Sequence, residues 1–518
     1  METIRILFYT DKSDISLNPS DAWSVADVKK FIEFKIGKLV QVRVELLNRH
    51  IDQATGQLVY GANLLTRKLL NDYDEIWVFG YTQTNLPHRG PQFCSIELYD
   101  EEVKYLKDWM DCGGGLMFTG DHSNTNPFVA GGDHSRFLNL GRALGYKIPR
   151  ARQLRVWEGP PTAQIVLSDP PEKKDNHNTQ EGDGVQNLDN LALQSDGITQ
   201  TLRFEDPKAP HELFRWYKNE DDTIAPISKF PDHMHEGELL IPKLPLDAEW
   251  PENSRQPQVA ALGRDKRFVE KERLYPLVVA YDGDNIPVGR IVADSSFHHY
   301  VKPNLSGIRD RDPHGYPVRG SDLDQVAQFY GNMAYWLAPK VIRDKVKSNL
   351  LFELAKHPDV FEVQGSNAEV VGNAARSVAE LEIGRANLDK LFSDDNARGF
   401  DALMSLSLTG KGAGLEYSLE DCESALGIFI KVYHEAFRQQ VVIDPGMLRE
   451  NPIPVNLAEE KFVQAFTANS ALLEKLAGHS QERLESFLSD LGFSNPAPSS
   501  TSKDKFNQTE EDDNGTQM

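Results

Sequence analysis

Between residues 4 and 120, short apolar runs alternate with stretches of helical spacing, and this alternation limits the folds open to the chain more than any other feature. Ile4 to Thr10 (IRILFYT) is apolar, β-branched and aromatic and ends at Asp11, which predicts a buried strand. Ala22 to Ile36 then places Val25, Val28, Ile32 and Ile36 on one helical face and leads into a second strand near Leu39 to Leu47. A short helix around Leu64 to Leu70 precedes a third strand, Glu75 to Gly80 (EIWVFG). Leu98, Val103, Leu106, Trp109 and Met110 mark a further helix, stopped by Cys112-Gly113-Gly114-Gly115 before a fourth strand, Leu116 to Gly120. Strand and helix repeating at this spacing predict an α/β fold, a doubly wound, mostly parallel sheet of the flavodoxin-like or amidotransferase-like kind.

Residues 152–271 are rich in Pro, Asp, Asn and His with poor periodicity, and read as a loop-rich insertion. Pro276 to Asp282 and Gly289 to Asp294, separated by a short turn segment, predict an antiparallel hairpin at the sheet edge. A helix through Leu323, Val326, Phe329, Tyr330, Met333 and Leu337 covers it, and Ala338-Pro339 closes an α/β domain of residues 1–340. Over 341–494 the pattern turns helical, with capping boxes at Ser418/Asp421 and Asn456/Glu459, so an all-α domain is expected. Residues 495–518 lack apolar pattern and are expected to form a disordered acidic tail.

The net charge of −22, with no clustered Lys/Arg, argues against nucleic acid as a partner. Three widely spaced cysteines, Cys94, Cys112 and Cys422, make neither a disulfide framework nor a CxxC zinc site; Cys112 reads as a small packed residue. The opening METIRILFYTDK is too short an apolar run for a secretory core, and no window is apolar enough to span a bilayer. A soluble cytoplasmic protein without a membrane partner is expected. Gly113 to Gly115 precedes a strand, whereas a dinucleotide fingerprint follows one, and Gly410 to Gly414 lacks P-loop spacing, so no nucleotide cofactor is expected. Without a GxSxG elbow, covalent catalysis by Ser or Cys is disfavoured.

Open parallel sheets bind ligands at the carboxyl ends of their strands, which selects the polar residues found there. Asp121 and His122 follow the fourth strand, and Asp294, Ser295, Ser296, Phe297, His298 and His299 follow the last. Imidazoles suit proton transfer near neutral pH, and a neighbouring carboxylate fixes their tautomer; one of His298 and His299 is expected to serve, with Asp294 as its orienting partner. Asp232, His233, His235 and Glu236, in PDHMHEGE, put two imidazoles on one face of an extended segment, a pattern able to hold a divalent metal such as zinc or manganese. The same segment also reads as a metal-free catalytic or substrate-binding loop, or as a structural surface loop.

The run YLKDWMDCGGGLMFTGDHS resembles the helix, glycine triplet, strand and histidine of the ThuA-like trehalose-utilisation family, within the class I glutamine-amidotransferase-like fold. GRIVADSSFHH is similar to that family's final glycine-arginine strand and its histidine, so the resemblance covers about residues 1–150 and 270–340. It implies that His122 and one of His298 and His299 are pocket histidines and that the ligand is carbohydrate-like. The amidotransferase nucleophile cysteine is missing from the elbow position, so glutamine hydrolysis is not implied. The resulting expectation is a hydrolase or lyase on a small polar substrate. The competing reading is a non-catalytic ligand sensor or scaffold whose 341–494 region engages a protein partner or a second copy of the chain.

Overall fold

The computed structural model describes residues 2–10, 15–21, 23–57, 59, 61–79, 98–119, 165–166, 199–207, 210–218, 224–231, 236–237, 239, 241, 246, 250–265, 273–286, 288–308, 310–363, 366–382, 426–427 and 430–431. The organising element is a seven-stranded sheet. Its strands are β1 (Thr3–Thr10), β2 (Gln41–Asn48), β3 (Glu75–Phe79), β4 (Gly115–Thr119), β5 (Gln258–Asp265), β6 (Arg273–Tyr281) and β7 (Ile291–Asp294). They lie in the order β5-β6-β7-β4-β3-β1-β2. The pairs β1/β2, β1/β3, β3/β4 and β4/β7 are parallel, whereas β5/β6 and β6/β7 are antiparallel.

The continuous apolar runs foreseen for β1, β3 and β4 follow from burial on both faces of the sheet. Ile4, Ile6 and Phe8 face one apolar layer, while Leu7 and Tyr9 face the other. The first layer contains α1 (Ala26–Ile36), which buries Val28, Phe31, Ile32 and Ile36, and the long helix α5 (Asp322–Leu337). The second contains α2 (Arg67–Asn71) and α3 (Asp100–Asp111), through Leu70, Leu106 and Met110. Helix α4 (Lys302–Ser306) follows β7, and its Leu305 joins the first layer. Beyond Pro339 run α6 (Lys340–Lys356), α7 (Pro358–Glu362) and α8 (Ala368–Glu382). Their Val346, Leu354, Val360, Val371 and Ala375 join the same apolar cluster as α1 and α5.

Helix α1 begins four residues later than its periodicity suggests. Trp23–Ser24 instead pairs with Ile15–Ser16, and the Ser24 hydroxyl accepts the Ala26 N–H at the helix start. The β6/β7 pair is antiparallel as expected, but it is not the edge of the sheet. That place belongs to β5, which falls in the segment read as loop-rich insertion. The signal was masked because QVAALGRD has only Val259 and Leu262 as large apolar residues and contains Gly263. A Cβ there would lie 2.4 Å from the Tyr275 ring, so the glycine serves to admit an aromatic side chain and does not break the strand. Cys112, expected to be packed, is exposed where α3 ends; the packing role falls to the glycines that follow it. Gly289 donates its N–H to Met110 O at 2.7 Å, and a Cβ on Gly289 would stand 1.8 Å from Gly114 O, so the α3–β4 turn and the entry to β7 meet backbone to backbone. The capping boxes at Ser418/Asp421 and Asn456/Glu459 and the tail 495–518 lie outside the described residues.

Candidate functional site

Strands β1, β3, β4 and β7 all end on the same side of the sheet, with Thr10, Phe79, Thr119 and Asp294 as their last residues. In register, Thr10 pairs with Phe79 and Thr119 with Asp294. Thr10 Oγ1 donates to Phe79 O at 3.0 Å and Thr119 Oγ1 to Val78 O at 3.2 Å, so threonine hydroxyls satisfy carbonyls at this buried rim.

Asp294 is fully buried at the end of its strand, so its carboxylate needs hydrogen-bond partners. Its own chain supplies the partners. Ser296 N donates to Oδ1 at 3.0 Å, forming the turn typical of an aspartate followed two residues on by its own backbone N–H. Ser296 Oγ then accepts His298 N at 3.2 Å, opening the short 3-10 turn Phe297–Tyr300. That turn carries two further side chains back to the carboxylate: His299 Nδ1 lies 2.6 Å from Oδ1, and the Tyr300 hydroxyl donates to Oδ2 at 2.7 Å. A carboxylate receiving the Ser296 and Tyr300 donors has only lone pairs to offer His299, so Nδ1 carries the proton. Burial, and then Asp294, hold the Tyr300 hydroxyl well above the usual phenol range, which keeps it a donor. Tyr330, on α5, donates to the backbone carbonyl of His299 at 2.5 Å, and burial likewise pushes its hydroxyl well above the usual range.

Adjacent histidines cannot serve one point from an extended strand. The 3-10 turn changes that geometry, but it still separates their roles. His299 goes to Asp294 and sets its ring edge-on to Phe230 at 4.7 Å. His298 lies among aromatic rings, 4.1 Å from Phe297 and 5.4 Å from Trp23, centroid to centroid. Of the other expected site residues, Asp121, His122, Asp232, His233 and His235 lie outside the described residues. Glu236 is in a two-residue strand paired with Val166. Among the described residues no group of three His, Cys, Asp or Glu side chains is placed to hold a metal ion, and no helix is long and apolar enough to cross a membrane.

Two polar assemblies escaped the sequence reading. At the end of β2, Arg49 forms a two-pronged ion pair with Glu102 of α3, one prong measuring 2.7 Å, and Nη1 also donates to the Tyr9 hydroxyl at 3.1 Å. Glu102 accepts Leu65 N and Tyr99 N, each at 2.9 Å, so one carboxylate ties β2, the start of α3 and the loop before α2 together. The neighbouring His50 is lowered to about 4, by burial first and then by Arg49. The only sequence cue was a charged residue directly after an apolar strand. At the opposite end of the sheet, Arg290 bonds Asp282 and Asp284, each at 2.9 Å, and Trp336 O at 3.0 Å. Arg343 of α6 also pairs with Asp284. The arginine of the GRIVAD run thus joins the entry to β7 to α5 and α6, away from the strand ends.

No protein-family model matches the chain, and no curated protein matches it. Similar solved structures include the mmIFT52 N-terminal domain, at 10% identity and a TM-score of 0.31, covering 62% of this chain and 93% of that one. A cytoplasmic protein from Salmonella typhimurium LT2 aligns at 14% identity and a TM-score of 0.29, over 65% and 100%. A ThuA-like protein from Parabacteroides merdae aligns at 14% identity and a TM-score of 0.26, over 62% and 99%. The α/β assignment stands on the sheet itself.

Proposed function

We propose that the protein is a ThuA-like cytoplasmic enzyme, a hydrolase or lyase for a small polar, carbohydrate-like substrate, in which His299 moves the proton and Asp294 holds His299. The observation that carries this reading is the 2.6 Å contact between His299 Nδ1 and a buried carboxylate at the carboxyl end of β7. With Nδ1 committed, His299 Nε2 accepts a proton from the substrate or from an attacking water and returns it to the leaving group. Asp121 and His122, two and three residues after Thr119 in the sequence, are the second acid-base pair of the proposal; Thr119 is the register partner of Asp294. Asp232, His233, His235 and Glu236 close the pocket or hold zinc or manganese.

The test is a panel of sugars, sugar acids and chromogenic esters and glycosides, offered to the wild type and to His299→Asn, with product followed by mass spectrometry. Turnover of one panel member by the wild type, reduced at least about 100-fold in the variant, is expected for loss of a general acid or base. Equal turnover by both proteins removes His299 from the chemistry. Metal analysis of the purified protein, with His233→Ala alongside, tests the metal separately. The second reading, a sensor or scaffold whose 341–494 region binds a partner, is favoured by the complete burial of Asp294 and His299. It predicts thermal stabilisation by a panel member without turnover.

A further inference from the structure

We infer that Tyr300 is a positioning residue, acting on His299 through Asp294 by drawing part of the carboxylate's charge to Oδ2. The inference rests on the proposed role of His299 for its catalytic meaning, but the hydrogen-bonding claim stands on the geometry alone. The Asp294 carboxylate divides its bonds unequally: Oδ1 takes the Ser296 N–H at 3.0 Å and His299 Nδ1 at 2.6 Å, while Oδ2 takes the Tyr300 hydroxyl at 2.7 Å. All three side chains are sealed from solvent, with Asp294, His299 and Tyr300 each at 0% exposure. In such a place a hydrogen bond to a charged group is stronger than in water, and each donor added to a carboxylate weakens its pull on the others.

The phenol therefore competes with the imidazole for one negative charge. Without the Tyr300 hydroxyl, Asp294 would hold the Nδ1 proton more tightly, and the balance would move towards the imidazolium. With it, the imidazole keeps its fixed tautomer and gives up its proton more readily, as a group that must both take and return a proton requires. Among the described residues, the other groups that face this unit include Tyr330, whose hydroxyl binds the His299 carbonyl, and the Asp27–Arg311 ion pair at 3.0 Å, which acts on Tyr330. Tyr330 offers the matched control. It is equally buried and also donates one hydrogen bond to this turn, but to the backbone and not to the carboxylate.

The experiment is nitrogen-15 NMR of histidine-labelled full-length protein, wild type against Tyr300→Phe and Tyr330→Phe, with His299 signals assigned by their loss in His299→Asn. Tyr300→Phe should move the His299 Nδ1 proton downfield and raise the pH at which the ring titrates, while Tyr330→Phe should change neither. Unchanged His299 signals in Tyr300→Phe, an upfield movement, or an equal response in both variants would overturn the inference. Should Tyr300→Phe not fold, replacing tyrosine by 3-fluorotyrosine preserves the fold with a stronger phenol donor. The Nδ1 proton must then move upfield, and a fixed or downfield signal overturns the inference. If the NMR response appears but His299→Asn has wild-type turnover, the proposed function fails and the charge-sharing stands.

Discussion

Replacing Arg49 by Met keeps most of the aliphatic stem and leaves the Glu102 carboxylate in a closed site without its cation. Arg49 is 0% exposed and Glu102 2%. Breaking a buried pair from one side costs about 3–5 kcal/mol, because the remaining charge has neither water nor partner. Protonation limits that cost. Neutralising an ordinary glutamate at pH 7 requires about 3.7 kcal/mol, so a carboxyl stranded by the substitution takes up a proton before the penalty climbs much higher. Losing the Arg49 to Tyr9 hydrogen bond adds about 1 kcal/mol. The protonation limit falls with pH, and at pH 5 it is about 1 kcal/mol. Urea denaturation followed by tryptophan fluorescence should therefore show Arg49→Met destabilised by about 4 kcal/mol at pH 7 and by about 2 kcal/mol at pH 5. Arg49→Met combined with Glu102→Gln should recover much of the difference at pH 7, since the glutamine still accepts one of the Leu65 and Tyr99 N–H groups. A penalty that is the same at both pH values, or below about 1 kcal/mol at pH 7, would show that the ion pair does not dominate the site.

Two further perturbations act on opposite limbs of the stability curve. His211, with its ring against Trp336, is lowered from 6.5 to about 3 by burial and then by Arg215 and Arg290. The folded protein thus keeps it neutral, and the associated stability is present above pH 6.5 and lost as pH falls towards 3. His211→Asn, which can still accept the Leu213 N–H, should cut the wild type's loss between pH 6.5 and 4.5 by about 1–2 kcal/mol, after allowance for partial exposure. Acid unfolding curves of equal slope would refute this. Glu75 runs the other way. Burial pushes its carboxyl well above the usual range, so the folded state holds a proton that the unfolded chain releases once pH passes 4.5. Glu75→Gln retains the acceptor for Trp77 Nε1, now at 2.8 Å, and should gain stability over the wild type steadily as pH rises from 5 to 8. A difference that is flat across that range would refute the assignment.

The elements legible in the sequence were those whose surroundings are uniform. A strand buried on both faces must be apolar throughout, so IRILFYT, EIWVF and GLMFT declared themselves. The edge strand β5 did not, because Gly263 answers to the Tyr275 ring across the pair and not to any local rule. Asp294 and the neighbouring histidines were found by their place after a strand. Which histidine meets Asp294 depends on a 3-10 turn set by Ser296, and two-residue alternation cannot reveal it. Arg49 and Glu102 lie 53 positions apart in the chain, and no spacing links them.

The sheet divides its polar groups between its two ends for one reason. Parallel strands expose their last carbonyls at one end and their first N–H groups at the other, so the two ends call for different partners. At the N-terminal ends of β1 and β3 the task is fixing: Arg5 clasps Asp74 through its backbone N–H, Nε and Nη2 at 2.8–3.1 Å, while near the start of β7 Arg290 spans Asp282 and Asp284. At the carboxyl end the threonines already serve the strand carbonyls, so Asp294 is not needed there as an acceptor for the sheet. Its bonds go to Ser296, His299 and Tyr300, all within six residues of itself. A charged cluster that its own turn encloses is a costly way to pack a strand end, since apolar groups of similar volume do as well or better. That cost, met where the parallel strands end, is what the proposal of a proton-transferring His299 would account for, and the turnover comparison of wild type with His299→Asn decides it.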